Sequence, residues 1–169
     1  MSPSPVPSEP RVLVFDTGPL WELVLYSAVH GLRYASLKGE LRLLQSASAY
    51  KRVSEFIANF TRKTTTPHVV AEISSWIART ERKGQSAMWE LVYTEFRSMG
   101  MDESLLKLLE MPQELVADIG AVDVSVLRLG LSFRQPRPLV LSVDRPLIAE
   151  CERAGVNAKH LWEVIAGGI

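Results

Sequence analysis

Two short apolar runs in this chain end in the same way. Val12–Phe15 runs into Asp16 and the turn Thr17-Gly18-Pro19, and residues 138–143 run into Asp144-Arg145-Pro146. A short run of branched apolar residues closed by turn chemistry reads as a buried strand, and a proline just past the turn pre-sets the φ of a helix start. Strands that pass straight into helices imply a βαβ pattern, which buries its apolar faces as helices packed on a sheet. The expected fold class is therefore α/β: a three-layer sandwich with a mostly parallel central sheet flanked by helices. In such a sheet the C-terminal strand ends share one rim, where ligands bind. Asp16 and Asp144 belong on that rim. The plainer alternative is that each aspartate only caps the helix that follows it.

Periodicity places the remaining elements. Helices are expected over 19–28 with Thr17 as N-cap, and over 48–60, 68–79, 86–97, 120–131 and 146–154. A short last strand is expected over 156–158. The polar run 61–66 reads as a loop, 104–109 as a helix and 113–118 as a turn or short helix, while 30–45 carries mixed signals. Length suits one domain over residues 11–169, preceded by a Pro/Ser-rich flexible tail at 1–10.

Two more acids have unusual neighbours. In a helix Asp123 shares its stripe with Ile119, Val126 and Leu127, and Glu72 shares its own with Val69 and Trp76. A carboxylate on an apolar stripe costs several kcal/mol unless it is protonated, paired or metal-bound. Pairing of Asp123 with Arg128 is one way out, and Glu72 at a helix start is favoured by the helix dipole alone. Taken together, Asp16, Glu72, Asp123 and Asp144 make an oxygen-only set, which suits Mg²⁺ or Mn²⁺ better than zinc. Ions held that way activate water and neutralise charge at a phosphodiester.

The segments DTGPL, TTTPHVVAEISSW, IGAVDVSVLRLG and LVLSVDRPLIAECERAGV, in that order, resemble the PIN domain, the metal-dependent nuclease fold of VapC-type toxins and many other proteins. The similarity spans about 12–161. It implies that Asp16, Glu72, Asp123 and Asp144 are both the catalytic and the metal-binding residues. It further implies that Thr17 and Ser142 support them, that Mg²⁺ or Mn²⁺ is the cofactor, and that RNA is hydrolysed by water without a covalent intermediate. Family members commonly form homodimers, and toxin members have an antitoxin partner; this chain is longer than a compact toxin through its tail and 27–50, so the resemblance does not by itself imply a toxin with an antitoxin. The alternative is a non-catalytic PIN-like module that binds RNA or protein.

Other features narrow the field. Nineteen basic residues balance nineteen acidic ones, so no global field favours nucleic acid or membrane. No apolar stretch reaches the length of a membrane span, and one cysteine, Cys151, fits a reducing, cytoplasmic setting. A haloacid-dehalogenase-type phosphatase needs a second acid two residues after the first, where this chain has Gly18. Basic residues gather modestly within 33–42, 62–63, 79–83 and 134–137; they read as solvated faces, the alternative being a grip on a phosphate backbone where they surround the rim. His68 is a candidate substrate contact, and Trp76, Trp89 and Phe96 read as core.

Overall fold

The computed structural model describes residues 11–31, 40–79, 82–104, 113–134 and 137–167. The N-terminal tail and all but the first residue of the helix expected at 104–109 lie outside the described residues. The elements run β1 (Val12–Phe15), α1 (Thr17–His30), α2 (Ala47–Ala58), β2 (Arg62–Thr65), α3 (Pro67–Ala78), α4 (Arg82–Met99), β3 (Met101–Glu103), α5 (Gln113–Ile119), α6 (Ala121–Ser132), β4 (Leu139–Ser142), α7 (Arg145–Arg153), β5 (Asn157–His160) and α8 (Leu161–Ala166). The strands form one sheet in the order β3-β2-β1-β4-β5, and every pairing is parallel. Helices flank this sheet, which makes the α/β sandwich expected from the strand-to-helix junctions.

Burial explains the placing of β1 at the centre. All four of its residues are buried, with Leu13, Val14 and Phe15 at 0% exposure, and it pairs with β2 on one side and β4 on the other. A strand covered on both faces must be apolar throughout, as β1 is. The helices contribute their apolar stripes to the same core: Val69, Ile73 and Ile77 from α3, and Val53 and Ile57 from α2. Pro67 stands at the start of α3, and the Thr66 hydroxyl caps it by accepting from the Val69 N–H at 3.3 Å.

The run 61–66 is not a loop, because Arg62–Thr65 forms β2. Its polar composition hid it, and the hydroxyls explain how it is buried. Thr65 Oγ1 donates to the Phe15 carbonyl at 3.0 Å, Thr64 Oγ1 meets Ser104 Oγ at 2.8 Å, and Thr66 Oγ1 meets Ser125 Oγ at 2.8 Å. Each threonine keeps a β-branched, strand-compatible shape while its hydroxyl finds a partner. Smaller corrections fall at element ends. The N-cap of α1 is Asp16, not Thr17, and α1 continues to His30; the last strand is Asn157–His160, not 156–158; of the two readings of 113–118, the short helix holds, as Gln113–Ile119.

The chain passes outward from β1 to β2 and β3, then returns to β4 on the other side of β1 and continues to β5. The gap between the C-terminal ends of β1 and β4 is thus the point where the winding reverses. Crevices at such a point are where open α/β sheets bind ligands.

Candidate active site

Asp16 leaves β1 at this crevice and Asp144 leaves β4 beside it. The Asp16 N–H bonds to the Leu141 carbonyl at 3.0 Å, so the ladder between the strands reaches the aspartate itself. The Asp16 carboxylate is 5% exposed and each of its oxygens accepts one hydrogen bond: Oδ1 from the Thr17 N–H and Oδ2 from Ser142 Oγ, both at 2.6 Å. Ser142 Oγ in turn accepts the Asp144 N–H at 2.8 Å. One buried hydroxyl therefore ties both strand exits together. Asp144 occupies the N-cap position of α7 but makes no capping hydrogen bond with its side chain. The simple capping account fails for it.

The other two acids arrive on helices. Glu72 stands in the second turn of α3, not the first turn as expected, which removes the dipole explanation for its presence. Its Oε2 accepts from Thr17 Oγ1 at 2.6 Å, so Thr17 connects the β1 exit to α3. Asp123 is in the first turn of α6, after Gly120, whose φ of 94° starts the helix in a conformation suited to glycine. It is half-buried, and among the described residues it has no hydrogen bond and no ion pair; Arg128 does not pair with it.

Electrostatics link the set. Burial raises the Asp123 carboxyl from 3.8 to about 7, with Asp16, Asp144 and Glu72 adding to the rise. Burial likewise raises Asp16 to about 6, opposed by the bonds from Ser142 and Thr17 and helped by the charges of Glu72 and Asp144. Acids from four separate elements thus lie within electrostatic reach of one another. Among the described residues none of them makes an ion pair with an arginine or lysine.

The fit to a divalent ion divides into chemistry and spacing. An all-oxygen donor set in which burial raises the carboxyls of Asp16 and Asp123 suits a hard cation. The spacing is looser: among the described residues, no group of three or more His, Cys, Asp or Glu side chains could hold a metal ion as it stands. Metal binding would require these side chains to draw together.

Gly18 sets the approach of the two strand exits. A Cβ there would lie 2.2 Å from Val143 Cγ2, the residue before Asp144. Gly18→Ala should force the two turns apart and cost about 1–3 kcal/mol by overpacking, read as a lower unfolding midpoint in urea. If the variant matches the parent, the turns have room to spare.

Ser142→Ala should leave Asp16 with one donor fewer and push its carboxyl higher, since that hydroxyl is the strongest influence lowering it. Titration of the Asp16 carboxyl by NMR would detect the upward move, and an unchanged midpoint would refute the bond's role.

Several neighbours went unnoticed in the sequence. Glu22 of α1, 6% exposed, accepts from the N–H groups of Arg42, Leu43 and Leu44 at 2.9–3.0 Å. His160 Nδ1 accepts from the Trp162 N–H, so Nε2 carries the proton and donates to the Val143 carbonyl; both distances are 3.0 Å. No motif marks either residue. Cys151 is buried, and its thiol is pushed up to about 12 by burial and the nearby acids, so it behaves as an apolar filler. No family model matches this chain, and no curated protein matches it either.

Proposed function

We propose that the crevice between β1 and β4 is the active site of a divalent-metal-dependent nuclease that hydrolyses single-stranded RNA. The observation that carries the reading is the state of Asp123. Its carboxyl is raised to about 7 by burial and by three other acids, and no basic side chain pairs with it among the described residues. Maintaining such a set costs stability, and a bound cation would offset that cost. The PIN-domain resemblance supplies the reaction class and assigns Asp16, Glu72, Asp123 and Asp144 as the acids that would hold Mg²⁺ or Mn²⁺.

When bound, the ion would supply an activated water and neutralise charge on the phosphodiester. The chain's own residues do the positioning. Ser142 and the Thr17 N–H hold the Asp16 carboxylate from both oxygens, and Thr17 Oγ1 holds Glu72. Asp144 is left without a capping duty, with its backbone fixed by Ser142.

The test is cleavage of an end-labelled single-stranded RNA by the full chain. Cleavage is expected with Mg²⁺ or Mn²⁺, none with EDTA, and Asp16→Asn should reduce it by about a thousand-fold, because metal stabilisation is worth several kcal/mol. A second reading, a non-catalytic module that binds RNA or protein, is favoured by the loose spacing of the acids. Absence of cleavage in every divalent ion would favour that reading instead.

A further inference from the structure

We propose that the cavity beside the acidic crevice holds one unstacked nucleotide of a single-stranded nucleic acid. Its base would pack on Trp76, and its phosphates would lie on Arg42 and Arg79. The proposal rests on reading the crevice as a phosphodiester-cleaving centre and assigns the neighbouring piece of substrate. Three features of the cavity point to this ligand.

The first is continuity. The cavity measures about 760 Å³, within the range of small-molecule sites, and is shared with the crevice through Gly18 and Val143. Those two residues stand two positions after Asp16 and one before Asp144. A strand cleaved at the crevice must place an adjoining nucleotide close by.

The second is an aromatic wall. Trp21 and Trp76 meet edge to face, with centroids 5.5 Å apart and planes at 73°, and both line the cavity. Trp21 is only 9% exposed and anchors the pair in the core, whereas Trp76 is half-buried. The pair is rigid, and a rigid indole loses little entropy on stacking. His160 adds a flat wall whose two ring nitrogens are already engaged by backbone groups.

The third is local charge in a chain of zero net charge. Arg42 and Arg79 line the cavity and are exposed, Arg79 at the C-cap of α3. Of the two acids in the lining, Glu22 is occupied by three backbone N–H groups, which leaves Glu40. Two guanidiniums over one available carboxylate suit a phosphate-bearing ligand with amino groups on its base. A duplex has its base faces stacked internally and cannot offer one to this concave wall.

The experiment is equilibrium binding of an end-labelled, mixed-sequence single-stranded RNA to the full chain, read by fluorescence anisotropy in EDTA. Nucleoside 5′-monophosphates should compete, whereas inorganic phosphate at the same concentration should not. Trp76→Ala should weaken binding by about ten-fold, whereas Trp76→Phe, which keeps a stacking face, should stay within about three-fold. Arg79→Ala, at an exposed position, should weaken binding and reduce the salt slope by about one. The site is overturned if Trp76→Phe, Trp76→Ala and Arg79→Ala all bind like the parent. It is equally overturned if a duplex binds as well as the single strand, or if phosphate competes as well as the nucleotides. Binding with the expected dependences and no cleavage in any divalent ion supports this site and removes the nuclease reading. Cleavage that ignores both Trp76→Ala and Arg79→Ala keeps the nuclease reading and removes this site.

Discussion

Asp123→Asn should give a protein that is more stable than its parent in EDTA and no longer cleaves RNA. The two effects have one cause. In the metal-free fold the Asp123 carboxyl is held near 7 against an ordinary 3.8, so its ionised form is disfavoured by folding. The folded state then binds more protons than the unfolded chain between about pH 4 and pH 7, and stability falls as pH rises through that window. Asp16, raised to about 6, contributes in the same direction over pH 4–6. An amide at position 123 removes the larger part of this penalty. The full shift would correspond to about 4 kcal/mol, which solvent screening at a half-open site reduces to about 1–2 kcal/mol. In a chain of this size that is a gain of roughly 2–8 °C in the melting temperature at pH 8, shrinking toward zero at pH 4. On the proposed nuclease reading, cleavage should fall by about a thousand-fold or more, because the substitution removes a charge that would hold the metal. A melting temperature lowered by the substitution in EDTA would mean that Asp123 is satisfied by a partner of its own, and the metal argument would lose its main support.

The same linkage predicts the effect of adding the ion. If Mg²⁺ or Mn²⁺ binds the ionised carboxylates as proposed, it should raise the melting temperature more at pH 8 than at pH 5. A stabilisation independent of pH, or one retained in Asp123→Asn, would indicate binding elsewhere on the surface.

What was legible in the sequence follows the kind of physics each feature uses. Val12–Phe15 and the run before Asp144 announced themselves because central parallel strands are covered on both faces and must be apolar. The winding reversal at β1 and β4 then put their two aspartates side by side. Asp123 was legible because a carboxylate on an apolar stripe is a conflict that the sequence itself displays. Arg62–Thr65 was not, since a strand with Arg and Lys at one end and hydroxyls at the other looks like a loop until the hydroxyls' partners are known. The edge strand β3 is short and polar and hydropathy carries no signal there, whereas β5 was marked only by its first residues next to Val156. Glu72 was assigned the right helix but one turn too early, because Pro67 begins α3 directly and puts Glu72 beyond its first turn. The cavity was invisible for a different reason: Trp21, Arg42, Arg79 and His160 come from distant segments, and tertiary packing alone brings them together. In the sequence Arg42 and Arg79 stand only as members of basic clusters and Trp76 as a core residue, with nothing to join them.

Glu22→Ala should be the most damaging single change for the fold on the cavity side of the molecule. Glu22 resembles a fifth acid of the crevice, one helical turn and a half beyond Asp16, yet its two oxygens accept three backbone N–H groups from residues 42–44. That makes it a clamp on a loop, with three of its roughly four lone-pair positions already taken. Leu41 and Leu44, 5% and 0% exposed, anchor the two ends of the clamped stretch in the core, so the loop cannot simply lift away into water. Without the carboxylate, three N–H groups lose their acceptor at a place where solvent reaches only some of them. At about 1–3 kcal/mol for each buried donor left unsatisfied, with partial hydration of the outer two, the cost is about 2–4 kcal/mol. Glu22→Gln keeps one acceptor oxygen but turns an NH₂ group toward the remaining N–H groups, so it should recover less than half of the loss. Chemical denaturation gives the stability change, and amide hydrogen exchange locates it: Arg42, Leu43 and Leu44 should lose protection in both variants while the Leu13 and Val14 amides of β1 keep theirs until global unfolding. A Glu22→Ala protein within about 0.5 kcal/mol of the parent, or one whose amides at 42–44 exchange as before, would show that the loop is held by its leucines alone. Because this loop carries Arg42 into the cavity, the same variant should also weaken single-stranded RNA binding without touching any of the four acids, which separates the architecture of the cavity from the chemistry of the crevice.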